Sequence, residues 1–384
     1  MSKTIKNTFY KKLTFEKLYL AHLRARKHKV YKNEVILFEM DLEKNLNILF
    51  KDIYNKTYSV GKYKEFKIYE PKERIIQALP YRDRIVHQWY VEEFIKPYIL
   101  PRFINTSFAC LENKGTHGAI EQIQKYMRIF KRNYGDFWIL KCDISKYFYS
   151  INRNVLFDIL SRYISDKRLL EFTHLLVFDG HSKESEVGIP IGNYTSQFFA
   201  NIYLNELDCY AKHVLKCKYY VRYMDDFIIL LKTKQECKEA KALIEDFISS
   251  KLKLKLNAKS RYYPYQMGVN FCGYRTFITH RLLRKSSKTK IKNNVKKWNK
   301  KWHSDNLNIT QTLQSLNSWL GHSSHADSYK LQTKILNSCD FLYTETTRKK
   351  LYEQFSKTKL CTNSNAKDKF CKNISVKSNK PTNN

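Results

Sequence analysis

Tyr220-Val221-Arg222-Tyr223-Met224-Asp225-Asp226-Phe227-Ile228-Ile229-Leu230 sets two adjacent carboxylates between two runs rich in β-branched and aromatic residues. Such side chains favour strands and Asp favours turns, so the stretch predicts a hairpin with both acids held at its turn. Fixed there, they concentrate negative charge at a rigid point suited to divalent cations. A solvated turn carrying two acids is the ordinary alternative, and the rest of the chain has to decide between them.

Upstream, Phe137-Trp138-Ile139-Leu140-Lys141-Cys142-Asp143-Ile144 is an apolar strand that runs into a carboxylate. An acid at the end of a buried strand is costly unless something compensates it, and a cation is the simplest compensation. Tyr147, Phe148 and Tyr149 follow, with Asn152 as the expected cap of a helix through Leu156, Leu160 and Tyr163. Gly188-Ile189-Pro190-Ile191-Gly192-Asn193-Tyr194-Thr195-Ser196-Gln197 combines turn formers with a helix start. That helix carries Phe199, Ile202, Tyr203, Leu207, Tyr210 and Val214 on one face, which predicts packing on a sheet. After the hairpin a charged amphipathic helix is expected over 236–250. Leu252-Lys253-Leu254-Lys255-Leu256 alternates strictly and predicts a strand, followed by Asn257 and Lys259. Phe271-Cys272-Gly273-Tyr274-Arg275-Thr276-Phe277 predicts one further strand, with Gly273 allowing close backbone approach.

The wider composition points to a polyanionic partner. The 384 residues hold 70 Lys and Arg against 36 Asp and Glu, a formal net charge of +34. That excess is too large for an ordinary small-molecule enzyme, and 28 Tyr and 23 Phe offer surfaces on which bases stack. A membrane surface also attracts positive charge, but no apolar run approaches the roughly eighteen residues of a span, and no signal-peptide core opens the chain. A cytoplasmic protein is expected. Nine scattered cysteines, odd in number and without a Cys-x-x-Cys pair, read as reduced packing residues.

Elsewhere the periodicity predicts helices over 15–56, a strand over 63–69, and a charged segment (Lys72, Glu73, Arg74, Arg82, Asp83, Arg84) opening a helix through Val86, Trp89, Tyr90 and Phe94. A loop over 108–117 carries Lys114-Gly115-Thr116, and helices are expected over 119–131 and 166–178. From 281 the character changes: 285–302 is intensely basic, and 313–320 and 331–342 read as helices, which places a small helical domain over about 280–355. The Lys-, Asn- and Ser-rich tail 356–384 has little to bury and is expected to be disordered. His322-Ser323-Ser324-His325 with Cys339 is a weak zinc pattern, since loop histidines without a cysteine pair more often face solvent or RNA.

Taken together, Asp143, Tyr223-Met224-Asp225-Asp226, Lys259 and Phe271-Cys272-Gly273-Tyr274 resemble, in order, the palm of a reverse transcriptase, and the likeness covers about residues 30–345. It implies an α+β right-hand polymerase: a helical lead-in over 1–60, fingers and a palm with an antiparallel sheet over 61–280, and an α-helical thumb over 281–355. It implies that Asp143, Asp225 and, more peripherally, Asp226 hold two Mg²⁺ ions with Ile144 beside them, Mn²⁺ being a substitute. Lys259, and Lys114 less directly, would lie near the incoming triphosphate. Phe148 would be the aromatic gate that selects deoxynucleotides, although an aromatic after a strand is usually core. Arg74 and Arg84 would meet template, and Gly273 and Tyr274 the primer end.

At the fourth block many relatives carry Gln-Gly-x-x-x-Ser-Pro, where this chain has Ile191-Gly192-Asn193-Tyr194-Thr195-Ser196-Gln197. The aliphatic residue and the Ser-Gln resemble the reverse transcriptases of diversity-generating retroelements. Ile191, beside Gly192 in the nucleotide site, would touch the incoming nucleotide without the amide's hydrogen bonds and so loosen control of base pairing. Ser196 and Gln197 are expected to be structural at the helix start, Ser being a ready cap. The resemblance implies template RNA, an RNA/cDNA duplex, dNTPs and a basic accessory protein as partners, no membrane, and a bacterial or phage origin. No nuclease, zinc-binding or ribonuclease H segment is recognisable after the helical region. A retron or abortive-infection reverse transcriptase, or a non-catalytic RNA-binding protein on the same scaffold, remains as an alternative.

Overall fold

The computed structural model describes residues 4–69, 73–178 and 186–343. The chain divides into two compact units, Met1–Tyr265 and Gln266–Asn384. The sequence reading placed the change of character later, near 281.

The first unit opens with α1 (Phe9–Lys12), α2 (Phe15–Arg26), α3 (Asn33–Met40) and α4 (Leu42–Tyr54). Thr14 caps α2 by accepting from Lys17 N at 3.2 Å. Leu18 and Ala21 of α2 and Leu46, Leu49 and Ile53 of α4 are buried. Next comes an antiparallel hairpin, β1 (Lys64–Ile68) and β2 (Arg74–Ala78), with Lys64 opposite Ala78. Strand β2 lies where the sequence showed only charge leading into a helix. No residue of β1 or β2 is fully buried, so this hairpin exists by cross-strand pairing and carries no burial alternation to read. The helix α5 (Tyr81–Tyr90) runs through a π-turn, Val91–Ile95, into α6 (Lys96–Tyr98). The long amphipathic α7 (Thr116–Tyr134) buries Ile120, Ile123, Met127 and Phe130.

The centre of the unit is a four-stranded antiparallel sheet in the order β4-β5-β3-β6, from β3 (Trp138–Asp143), β4 (Tyr220–Tyr223), β5 (Asp226–Leu231) and β6 (Arg261–Pro264). Between β3 and β4 come α8 (Tyr147–Ser150), α9 (Arg153–Ser161), α10 (Lys167–Phe178) and α11 (Tyr194–Cys209); α12 (Lys234–Ser250) follows β5. Asn152 caps α9 as expected, accepting from Val155 N at 3.0 Å. The one-faced reading of α11 is corrected. This helix is enclosed almost all round, burying Thr195, Asn201, Asn205 and Asp208 as well as Phe199, Ile202 and Leu207. It passes into a π-turn, Tyr210–Val214, that leaves Val214 63% exposed.

Two expected strands are also corrected. Residues 252–256 form no strand: Leu252 N and Leu254 N both donate to Ile248 O, Lys253 sits at φ 52°, and Leu256 alone makes an isolated bridge to Ile144. The buried leucines are explained by a chain wrapping back over the end of α12, which reproduces alternation without a ladder. Residues 271–277 are two strands, β7 (Val269–Phe271) and β8 (Tyr274–Thr276), joined by a tight turn at Cys272 (φ 44°) and Gly273 (φ 93°). Positive φ at both central residues is the mark of a type I′ hairpin.

This hairpin belongs to the second unit, where β9 (Arg281–Leu283) completes a three-stranded sheet. Helices α13 (Lys285–His303), α14 (Ile309–Ser323) and α15 (Tyr329–Asn337) follow as expected. Ile291, Val295, Leu313, Leu316, Ile335, Cys339 and Phe341 form their core. The end of the expected thumb, 344–355, and the tail 356–384 lie outside the described residues. The fold is thus α+β with antiparallel sheets, as expected of a right-hand polymerase. No helix among the described residues is long and apolar enough to cross a membrane.

Candidate active site

Antiparallel pairing of β3 with β5 puts Asp143, the last residue of one strand, opposite Asp226, the first of the other. The β4–β5 connection is a two-residue turn, Met224-Asp225, with Met224 at φ 53°. Asp225 therefore stands beside both acids. Its carboxyl is pushed up to about 6, first by burial and then by the negative charge of Asp143, with Asp226 adding and Arg74 opposing. An acid held this way is an anion short of a counter-ion.

Asp143 is clasped by the loop after α12. Its Oδ2 accepts from Asn257 Nδ2 at 3.0 Å, its N donates to Ser260 Oγ at 3.1 Å, and its carbonyl accepts from Asn257 N at 2.7 Å. Lys259 stands exposed in the same loop, its backbone N bonded to Asn257 Oδ1 at 3.0 Å. Asp226 is already engaged: both its oxygens accept from Lys141 Nζ, from the neighbouring strand. Among the described residues no three His, Cys, Asp or Glu side chains converge as a metal cage. Asp143 and Asp225, two oxygen-donor acids whose mutual repulsion is felt at Asp225, do fit a divalent cation, and Asp226 as it stands does not. Ile144 has its side chain in the core, its backbone bridging Leu256.

Beneath the turn lies a buried polar hub that the sequence reading passed over. Arg222 is fully buried, giving Nε and Nη2 to the Asp208 carboxylate at 2.7 and 2.6 Å and Nη1 to Asn201 Oδ1 at 3.0 Å and Met224 O at 2.9 Å. Tyr220 Oη also donates to Asp208 at 2.6 Å. The signal was present, since an arginine inside an apolar strand is unaffordable without a partner.

At the β1–β2 hairpin, Gln77 N of β2 donates to Ile191 O at 2.9 Å. Gly192 follows at φ 135°, where an added Cβ would lie 2.7 Å from Gln77 O. Ile191 and Gly192 thereby dock the hairpin onto the start of α11. Beside them opens a cavity of about 1210 Å³ lined by Lys29, Lys32, Lys62, Lys64, Arg84 and Gln197 among others. Arg84 is already engaged, forking onto Glu34 at 2.7 and 3.2 Å and donating to Leu79 O at 2.8 Å. Arg74 is exposed at the start of β2.

The remaining expected residues are placed as follows. Lys114 Nζ is held by the carbonyls of Asn105 at 2.8 Å and Ser107 at 3.0 Å, over the Phe108 ring. Phe148 is half-buried on α8, its carbonyl accepting from Ile189 N at 2.9 Å. Ser196 is not the cap: Asn193 occupies that position, its side chain donating to Tyr63 Oη at 2.7 Å, and Ser196 is buried inside α11. Gln197 is exposed, its Oε1 3.5 Å from Cys110 Sγ. Gly273 and Tyr274 belong to the second unit, where the Tyr274 hydroxyl is bonded to His322 Nδ1 at 2.9 Å and donates to His322 O at 2.7 Å.

The family model for reverse transcriptase (RNA-dependent DNA polymerase) matches residues 64–276, more than half of the chain. Protein YkfC of Escherichia coli K12 is 26% identical over 263 residues, 58% of this chain and 67% of that protein. A COX1/OXI3 intron 2 protein of Saccharomyces cerevisiae is 24% identical over 223 residues, 42% of this chain and only 25% of its own length. Among solved structures, telomerase from Candida albicans in complex with a fragment of telomeric RNA aligns with a TM-score of 0.45 at 12% identity, covering 79% of this chain and 70% of that one. Its counterpart from Candida tropicalis gives 0.44 at 14%, covering 80% and 62%. The matched span contains every strand of the sheet that carries Asp143, Asp225 and Asp226, and the chain belongs to the reverse transcriptase (RNA-dependent DNA polymerase) family.

Proposed function

We propose that this reverse transcriptase extends a 3′-hydroxyl with dNTPs on an RNA template, using two Mg²⁺ ions, and writes adenine-biased errors into cDNA for a diversity-generating retroelement. The polymerase chemistry is carried by one observation, the pairing of Asp143 with Asp226 across β3 and β5 with Asp225 in the adjoining turn, where burial and the negative charge of Asp143 push the Asp225 carboxyl up to about 6. Bound between them, divalent ions would activate the attacking hydroxyl and neutralise the leaving pyrophosphate. The chain's own residues do the rest. Asn257 and Ser260 orient Asp143, and Arg222 holds the turn that carries Asp225. Lys259 and Arg74 supply positive charge toward the triphosphate, and the lysine-lined cavity beside Gly192 offers a path for template phosphates. Single-strand bases would find stacking partners such as Tyr31 on its wall.

The retroelement assignment rests on Ile191 and Gln197. An aliphatic side chain at 191 cannot hydrogen-bond the nucleotide, so discrimination there falls to shape alone. The expected template RNA, basic accessory protein and cytoplasmic setting belong to the same reading. A second reading, an intron-encoded enzyme, is favoured by the likeness to the yeast intron 2 protein. Sequencing cDNA made by the full chain on a defined RNA separates them: the retroelement reading expects errors concentrated opposite template adenine that fall in Ile191→Gln. Faithful copying of adenine by the native chain would sink it.

A further inference from the structure

Three carboxylates lie at the end of the central sheet, yet one of them, Asp226, is already paired with a cation of the chain itself. That cation is Lys141. Alternate residues of a strand share a face, so Lys141, two before Asp143 on β3, points to the same side as that acid. In the ladder Lys141 is paired with Ile228 and Asp143 with Asp226, which places Lys141 diagonal to Asp226 across β3 and β5. That spacing is within reach of a long side chain. Its Nζ donates to both carboxylate oxygens of Asp226. Both partners are mostly sheltered, with side chains 21% and 25% exposed, so the pair is little screened.

We propose that Lys141 is an internal counter-ion that holds Asp226 out of the cation site, so that a divalent ion meets two carboxylates rather than three until nucleotide phosphates complete its shell. The ammonium acts through Asp226, as a positioning residue, and touches neither substrate nor cation. Two carboxylates make a weak resting site for Mg²⁺, which keeps several waters and takes its remaining ligands from substrate oxygens. A third unpaired carboxylate would instead bind the ion tightly before substrate arrives. The inference rests on reading Asp143 and Asp225 as the cation-binding acids.

The test is titration of the full-length, nucleotide-free protein with Mn²⁺ alone, followed by its paramagnetic resonance signal. Lys141→Met should bind Mn²⁺ about tenfold tighter than the native chain, as expected when one nearby positive charge is removed. Lys141→Arg, which keeps the charge, should match the native affinity. The double variant Lys141→Met/Asp226→Asn should return close to native, because the lysine works through that carboxylate. Asp226→Asn alone should weaken binding less than Asp225→Asn. A Lys141→Met protein with native or weaker affinity overturns the proposal, and so does a double variant that stays as tight as Lys141→Met. If the methionine variant does not fold, Lys141→Gln carries the same comparison. Unchanged Mn²⁺ binding in both Asp143→Asn and Asp225→Asn is a different failure, which overturns the assignment of the acids themselves.

Discussion

Arg222 Nη1 donates to the carbonyl of Met224 at 2.9 Å, tying a wholly buried guanidinium to the left-handed residue that precedes Asp225. A non-glycine residue at φ 53° costs on the order of 1 kcal/mol and persists only where its surroundings hold it. The Asp208 carboxylate, Asn201 and Tyr220 fix the arginine that does so. Arg222→Met and Asp208→Leu should each cost about 3–5 kcal/mol in chemical denaturation, because each leaves a buried charge alone. The double variant should be more stable than either single one, yet extend primers far more slowly than the native chain, since Met224 loses its anchor. Native primer extension by the folded double variant would show that the hub supports the fold and not the turn.

The raised Asp225 carboxyl gives a pH dependence with a definite sign. Its folded value of about 6 lies above the ordinary carboxyl value, so the folded chain binds the proton more tightly than the unfolded one. Its contribution to stability is therefore fully present below the ordinary value, near pH 4, and is lost as pH rises through about 6. In EDTA, Asp225→Asn should melt higher than the native chain at pH 7, by up to about 2–3 kcal/mol in stability, and show no such gain at pH 4. Added Mg²⁺ should stabilise the native chain and leave the variant unmoved, and primer extension should be abolished in the variant. A variant melting lower than native at pH 7 in EDTA would mean that Asp225 makes favourable contacts instead of suffering repulsion.

What was legible in the sequence depended on whether burial wrote the signal. The β3 and β5 strands and the Met224-Asp225 turn are buried or sharply punctuated, and 137–144 and 220–230 read correctly. Strand β2 was invisible because it pairs without burying. Residues 252–256 alternate as a strand should, yet only Leu252 and Leu254 are buried, at the start of a loop that clasps Asp143 through Asn257 and Ser260. The Lys141–Asp226 and Arg222–Asp208 pairs depend on register across strands and between strand and helix, which a linear pattern does not encode. Lysine and arginine within apolar strands were nevertheless a warning that partners had to exist.

Gly192 links the β1–β2 hairpin to α11 by leaving room for a backbone. At φ 135°, with Gln77 O lying 2.7 Å from where a Cβ would stand, alanine meets strain and collision together. Gly192→Ala should lose the Gln77 N to Ile191 O bond and destabilise this contact by about 1–3 kcal/mol. Hydrogen exchange should rise at the β2 amides first, with the central sheet still protected, and the KM for dNTP should increase several-fold. Native exchange in β2 would refute the docking role.

On the proposed polymerase reading, Phe148 is the residue that would measure the sugar of the incoming nucleotide. It lies on the short helix α8, five residues beyond Asp143, and is half-buried, so one part of the ring packs while another remains open. Two backbone bonds, Ile189 N to Phe148 O at 2.9 Å and Gly188 N to Ile151 O at 2.8 Å, clip the segment leading to Ile191 onto α8 and α9's start. The ring and the residue expected to touch the base are thus held by one rigid connection. As the proposed gate, this ring would exclude a 2′-hydroxyl by contact, and truncation should open the space. Phe148→Ala should raise ribonucleotide relative to deoxynucleotide incorporation by on the order of 10–100-fold in kcat/KM, the range a pocket gains or loses through a small steric change. Partial burial limits the accompanying loss of stability to about 1–2 kcal/mol, less than for a fully buried ring. The measurement is the rCTP-to-dCTP ratio of kcat/KM opposite a template guanine, taken beside a thermal melt. An unchanged ratio in a destabilised protein would return Phe148 to the core and leave sugar selection to another residue.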